Sequence, residues 1–141
     1  MTSKVLLDTN IFLRFFLRDD EAMYSECQEV LEKISEGKIV PYLSSIALLE
    51  FQYVLLGGYK ESKGQVIKRI NSIMKMRNLV MLDKTGTKSA LKLYRKYNVK
   101  YGDCLIATQI PKNVPIVTYD RDFKKIKGLQ VLTPGEVVSS L

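Results

Sequence analysis

Histidine is absent from the 141 residues of this chain, and that absence excludes more than any other feature of its composition. Without an imidazole there is no Ser-His-Asp or Cys-His nucleophile system. Paired-histidine acid–base cleavage of RNA and the common histidine-containing zinc sites are excluded with it. Cysteine is scarce as well: Cys27 and Cys104 are the only two. They lie far apart and outside any CxxC pair, which predicts two reduced, buried thiols and rules out a four-thiolate zinc site. Long apolar runs are missing too. The longest uncharged stretch, Ile39 to Leu49, holds Pro41 and two serines and is shorter than the about 20 residues that a membrane span needs. The N-terminus reaches Asp8 after only Val5, Leu6 and Leu7, too short an apolar core for a secretory signal, so the expected location is the cytoplasm. Any catalysis is left to carboxylates, Lys, Arg, Tyr or a bound hard cation.

What the chain does have is one domain's worth of residues, expected to fold as a single unit over 1–141, and a net charge of +7 from 22 basic and 15 acidic residues. That sign favours a polyanionic partner, nucleic acid foremost. Apolar periodicity and breakers divide the chain into alternating elements. Short strands are predicted over Lys4–Leu7, Lys38–Leu43, Leu79–Leu82 and Val114–Thr118, with a fifth over Gln130–Leu132. Between them lie helices. One opens at Asn10, and the next is capped by Asp19 or Asp20 and ended by Gly37. Another runs from Ser44–Ser45 through Glu50 to the Gly57–Gly58 pair. A basic helix over Ser62–Arg77 has Val66, Ile67, Ile70, Ile73 and Met74 inward, and one over Thr87–Tyr97 has Ala90, Leu91, Tyr94 and Tyr97 inward. A helix from about Gly102 to Ile110 and a short one behind Thr133–Pro134 complete the set. Strands alternating with helices imply an α/β fold with a mainly parallel sheet. Ligands of such sheets bind beyond the carboxyl ends of the strands, where Asp8 and Asp120 both fall.

Glu50 has Ile46, Ala47, Tyr53 and Val54 as its helical neighbours, and Asp103 has Ile106 and Ala107. A carboxylate facing a core is costly unless paired, hydrogen-bonded or bound to metal. Each acid also has a structural explanation. Asp8 and Asp103 can cap helices, Glu50 can make a buried ion pair, and Asp120 and Asp122 can shape a turn. Cations suited to phosphate contact are Arg14, Arg18, Lys63, Lys68, Arg69, Lys100, Arg121, Lys124 and Lys125, foremost Arg14, Lys100 and Arg121. Tyr59, Tyr101 and Tyr119 are suited to stacking on unpaired bases.

Four segments taken in order carry a resemblance. They are Leu7-Asp8-Thr9-Asn10 after the first strand, Ser44-Ser45-Ile46 with Leu49-Glu50, Tyr101-Gly102-Asp103-Cys104-Leu105-Ile106-Ala107, and Val117-Thr118-Tyr119-Asp120-Arg121-Asp122-Phe123. Over nearly its whole length the chain resembles the PIN-domain nucleases, in particular the small VapC-type toxins of toxin–antitoxin pairs. The resemblance implies a three-layer α/β/α sandwich around a parallel sheet of four or five strands. It implies an acidic quartet of Asp8, Glu50, Asp103 and Asp120 holding Mg²⁺ or Mn²⁺, with Asp122 competing with or assisting Asp120, and Asn10 and Thr118 lining the site. It further implies RNA as substrate, a small antitoxin as partner and a homodimer; a stand-alone PIN nuclease of RNA maturation would look the same. The residues themselves leave three other readings open: a metal-independent ribonuclease using Lys, Arg and Tyr, a non-enzymatic binding module on the same fold, and a phosphotransfer domain with Asp8 as nucleophile.

Overall fold

The computed structural model describes residues 2–141. Its strands β1 (Ser3–Leu7), β2 (Ile39–Ser44), β3 (Val80–Leu82), β4 (Ile116–Val117) and β5 (Val131–Leu132) form one parallel sheet in the order β3-β2-β1-β4-β5. β1 lies at the centre, where Ser3 to Leu6 register with Ile39 to Tyr42 of β2 and Leu6–Leu7 with Ile116–Val117 of β4. Val5, Leu6 and Leu7 are fully buried, as befits a strand covered on both faces.

The helices are α1 (Thr9–Leu17), α2 (Glu21–Ser35), α3 (Ser45–Gly57), α4 (Lys63–Met74), α5 (Thr87–Lys96), α6 (Tyr101–Gln109) and α7 (Pro134–Ser139), with a 3-10 turn at Arg121–Lys125. The connections β1→β2 and β2→β3 step one way across the sheet, and β3→β4 steps back over β1. Because parallel crossovers are right-handed, α1 to α4 and the α5–α6 unit lie on opposite faces, giving three layers. Two apolar clusters follow this division: a main one centred on the strands, and a smaller one around Ala90, Val99, Cys104 and Ile126.

Local chemistry sets the boundaries. Asp8, Asp20, Ser44 and Ser62 each cap the helix that follows with a side-chain oxygen, and Thr133 forms a reciprocal capping box with Glu136. Gly37 ends the α2 connection at φ +77°, pressed against the Arg77 guanidinium. Cys27 and Cys104 are free, buried thiols. Among the described residues no helix is long and apolar enough to cross a membrane.

The structure corrects four expected core positions. Ile67 and Met74 on α4, and Leu91 and Tyr94 on α5, face solvent at 41–52% exposure. α4 lies on α3 and α5 on α6, so each offers only a narrow stripe for burial. Those stripes are Val66, Ile70 and Ile73 on α4, and Ala90, Leu93 and Tyr97 on α5.

Candidate functional site

The strand order reverses between β1 and β4, so their carboxyl ends flank a topological switch point, the usual ligand position in open α/β sheets. Asp8 leaves β1 there, and Thr118 and Asp120 leave β4 there. The two loops are locked together. The Asp8 amide donates to Val117 O at 3.1 Å, and its Oδ1 accepts from the Thr9 amide at 2.8 Å as the cap of α1. Thr118 is the hub. Its hydroxyl donates to Asp8 Oδ2 at 2.7 Å and accepts from Asn10 Nδ2 at 3.0 Å and from the Asp120 amide at 2.9 Å. One donor and two lone pairs are thereby used in full. Asn10 completes the lock by accepting from the Tyr119 amide at 3.3 Å. Thr118→Val keeps the shape but deprives buried Asp8 and half-buried Asn10 and Asp120 of a partner. The expected cost is about 1–3 kcal/mol, read as a fall in the denaturation midpoint; an unchanged midpoint would deny the hub its role.

α3 and α6 bring in the other two acids. Glu50 is half-buried, and its Oε2 accepts from the Thr9 hydroxyl at 3.4 Å, a hydroxyl that also reaches Ala47 O at 3.1 Å. Of its expected apolar neighbours, Tyr53 points to solvent at 75% exposure while Ala47 is buried. Asp103 lies in the first turn of α6 at 3% exposure. It caps nothing, and its Oδ2 is buried without a hydrogen-bond partner.

Electrostatics join the acids. Burial, then the charges of Asp8, Glu50 and Asp120, push the Asp103 carboxyl up to about 7 against the pull of Lys100. Burial and then Asp8 raise Glu50. Burial also raises Asp8, opposed by its bonds to Thr118 and Thr9, with Asp120 raising it further. Asp120 therefore acts on all three other carboxyls. Asp122 is turned aside into an ion pair with Lys125 at 3.0 Å, while Asp120 Oδ1 accepts the Asp122 amide at 2.9 Å as cap of the 3-10 turn.

Three contributors escaped the sequence reading in whole or part. Thr9 ties Glu50 to α1. Gly102 leaves room for Glu50, since a Cβ there would meet Glu50 Oε1 at 2.7 Å; a glycine in the first turn of a helix, directly before an acid, was the available signal. Lys100, expected only as a phosphate contact, is the cation whose charge bears on Asp8, Glu50 and Asp103 together. Arg14 is engaged with Asp19 at 2.9 Å. Arg121 stands exposed on a groove of about 570 Å³ that Thr118, Asp120 and Lys124 also line.

Among the described residues no group of three or more acidic or sulfur side chains is already arranged to hold a metal ion. The donor chemistry nevertheless suits one. The clustered atoms are carboxylate and hydroxyl oxygens, and Asp103 Oδ2 is an unpartnered acceptor. Mg²⁺ is usually held through one or two carboxylates and its retained waters, so a tight protein cage is not required.

Comparison with known proteins bears on the same segments. The model of the PIN domain family matches residues 5–129. A VapC ribonuclease of Aquifex aeolicus is 26% identical over 133 residues, covering 93% of this chain and 97% of that protein. Among solved structures, VapBC2 from Rickettsia felis bound to a DNA fragment from their promoter superposes with a TM-score of 0.64 at 23% identity, covering 92% of this chain and 98% of that one. PAE2754 from Pyrobaculum aerophilum gives 0.65 at 13% identity, covering 99% and 91%. FitAcB from Neisseria gonorrhoeae gives 0.56 at 18%, covering 92% and 97%. The solved structures speak for the fold, and the family match, which takes in Asp8, Glu50, Asp103 and Asp120, makes this chain a member of the PIN domain family.

Proposed function

We propose that this chain is a Mg²⁺- or Mn²⁺-dependent endoribonuclease, the toxin of a VapBC-type toxin–antitoxin pair. The observation that carries the reading is the convergence of Asp8, Glu50, Asp103 and Asp120, from four separate elements, into one electrostatically coupled group with a free acceptor at Asp103 Oδ2. Asp8 and Asp103 are buried and Glu50 half-buried, and the neighbouring negative charges raise the proton affinity of these three unless a cation offsets them. Asp8 and Asp103 would hold the ion, with Glu50 and Asp120 completing the set. When bound, a divalent ion supplies positive charge and an acidified water for attack on a phosphodiester.

The chain's own groups divide the remaining work. Thr118 fixes Asp8 and the Asp120 amide in one orientation, and Asn10 holds the β4 loop against α1. Glu50, the half-buried acid steadied by Thr9, is placed to orient the water and take its proton. Lys100 and Arg121, both exposed at the rim, offer cations to the phosphates. Water as nucleophile leaves a 5′-phosphate and a 3′-hydroxyl.

The partner reading rests on the relatives named VapC and VapBC2 and on an apolar groove of about 200 Å³ lined by Phe12, Phe15, Phe16, Leu31, Ile73 and Met76, which suits an apolar anchor of an antitoxin. Leu49, Tyr53 and Leu56 form an exposed stripe along α3, the face we assign to a homodimer. Sedimentation at the mass of one chain would remove the dimer from this reading.

The test of the reading is cleavage of structured RNAs with Mg²⁺, Mn²⁺ or EDTA. Wild type is expected to cut only with metal, and Asp8→Asn to be silent yet folded. Activity that persists in EDTA, or a 2′,3′-cyclic phosphate product, would overturn the metal-assisted hydrolysis.

A further inference from the structure

The net charge of this molecule is concentrated in one segment. From Lys84 to Gly102 there are six basic residues and no acid. With those six set aside, 16 basic and 15 acidic residues remain, so the rest of the chain carries only +1 of the total +7. Helix α5 fills most of the segment. Its inward stripe is Ala90, Leu93 and Tyr97, and Lys88, Lys92, Arg95 and Lys96 are exposed. Lys88, Lys92 and Arg95 recur at four- and three-residue steps, which places them on one face. That row is about 10 Å long at 1.5 Å per residue. Among the described residues none of these cations enters an ion pair, whereas Arg14, Arg18, Lys33, Lys38, Arg69 and Lys125 all do.

The row leads to the acidic site. Tyr94, 52% exposed on α5, meets Tyr101 edge-to-face at 5.6 Å, and Tyr101 opens α6, two residues before Asp103. Lys100 stands at the same corner, where its charge bears on three of the carboxyls. A run of unneutralised cations with an exposed aromatic ring beside it matches the chemistry of a single-stranded polynucleotide, with phosphates along the cations and a base on the ring.

We propose that the exposed surface of α5, with the row Lys88, Lys92 and Arg95 and with Tyr94 on the flank against Tyr101, is the track along which single-stranded RNA docks and is delivered past Lys100 to the carboxylate site. The track deepens the nuclease reading by placing its substrate, and it rests on that reading only for what happens at the end of the path.

Binding of a fluorescein-labelled single-stranded RNA 20-mer, measured in EDTA from 50 to 200 mM KCl, tests it. The triple variant Lys88→Gln, Lys92→Gln, Arg95→Gln removes three phosphate contacts. It should weaken binding about tenfold or more and flatten the slope of log affinity against log salt by about 2, at roughly 0.7 per contact on a single strand. The charge-keeping variant Lys88→Arg, Lys92→Arg, Arg95→Lys should bind as wild type does. So should a triple glutamine variant at Lys60, Lys75 and Lys112, exposed cations outside the segment. Melting curves matching wild type show that the variants fold.

Equal loss in the Lys60, Lys75, Lys112 variant, or an unchanged slope in the α5 variant, overturns the track. So does wild type that binds phosphatidylserine vesicles and not RNA. The two readings fail separately. Wild type that cleaves with metal while the α5 variant binds normally removes the track alone. Wild type that never cleaves while the α5 variant loses binding removes the nuclease and leaves the track standing as an RNA-binding surface.

Discussion

Asp103→Asn is expected to lower metal-dependent cleavage by roughly 10²-fold or more, since it removes a proposed ligand of the ion and even an outer partner of a metal ligand is worth about 10–100-fold, while making the metal-free protein more stable at pH 8. Silencing and stabilisation together would be unusual for a substitution at 3% exposure, and the sign follows from the carboxyl's environment. In the folded chain it titrates at about 7, against 3.8 for the ordinary group. The native state therefore binds more protons than the unfolded state between those values, and stability falls as pH rises through that window. Below pH 3.8 the group is neutral in both states and costs nothing. Above pH 7 the full cost applies, with an upper bound of ~4 kcal/mol at 1.36 kcal/mol per pKa unit.

Asparagine cannot ionise, so the variant escapes that cost. Melting curves at pH 5 and pH 8 should show wild type losing stability at the higher pH and the variant losing less of it. Mg²⁺ should raise the wild-type midpoint at pH 8 through binding to the native state and leave the variant nearly unmoved. A variant as active as wild type, or one less stable at pH 8, would contradict the proposed role of Asp103.

Gly102→Ala is expected to separate activity from stability in the opposite manner, with a large loss of cleavage at almost no cost in folding. The new Cβ would stand 2.7 Å from Glu50 Oε1, and the next nearest atoms, Glu50 Cδ and Ile46 Cγ2, are at ordinary distances of 3.8 and 3.9 Å. The obstruction is the tip of a flexible side chain, which can swing aside. Alanine also gains about 1 kcal/mol over glycine in a helix. Moving the Glu50 carboxylate by about 1 Å is enough to cost roughly 10²-fold in rate when that group orients a reactant. The measurement is kcat at saturating RNA and metal beside a thermal melt. Undiminished kcat would show that Glu50 has no positional role.

The sequence made much of this legible, for identifiable reasons. β1 reads as an apolar run halted by Asp8, and caps such as Ser44, Ser62 and Thr133 announce helix starts because their oxygens compete for free amides. The strands and their mainly parallel sheet follow from such signals, and the PIN family from the resemblance carried by the four acid-bearing segments. The faces of short helices do not. α5 has enough apolar residues for two stripes, and only its packing on α6 selects Ala90, Leu93 and Tyr97 over Leu91 and Tyr94. Of the apolar neighbours that mark Glu50 in the sequence, Tyr53 points to solvent. α3 is apolar on nearly every side, so periodicity along it carries little direction. The choice between Asp120 and Asp122 was equally out of reach. It depends on a 3-10 turn that uses Asp120 as its cap and sends Asp122 to Lys125. Gly102 and Thr9 act through residues distant in sequence, and spacing along the chain cannot express such partners.

The bond from the Thr118 hydroxyl to Asp8 joins positions 110 residues apart, and this separation dictates an order of assembly. β1, β2 and β3, with α1 to α4 between them, are synthesised before β4 exists, and pairing across such a distance is entropically slow. Until Ile116 and Val117 dock beside Leu6 and Leu7, Asp8 has neither its hydroxyl partner nor Asp120 beside it. A chain growing at about 5–20 residues per second thus carries an incomplete site through most of its synthesis. The acids close on one another only when nearly the whole polypeptide is present, so a nascent or truncated chain, still held among the RNAs of the translation machinery, lacks the assembled carboxylates.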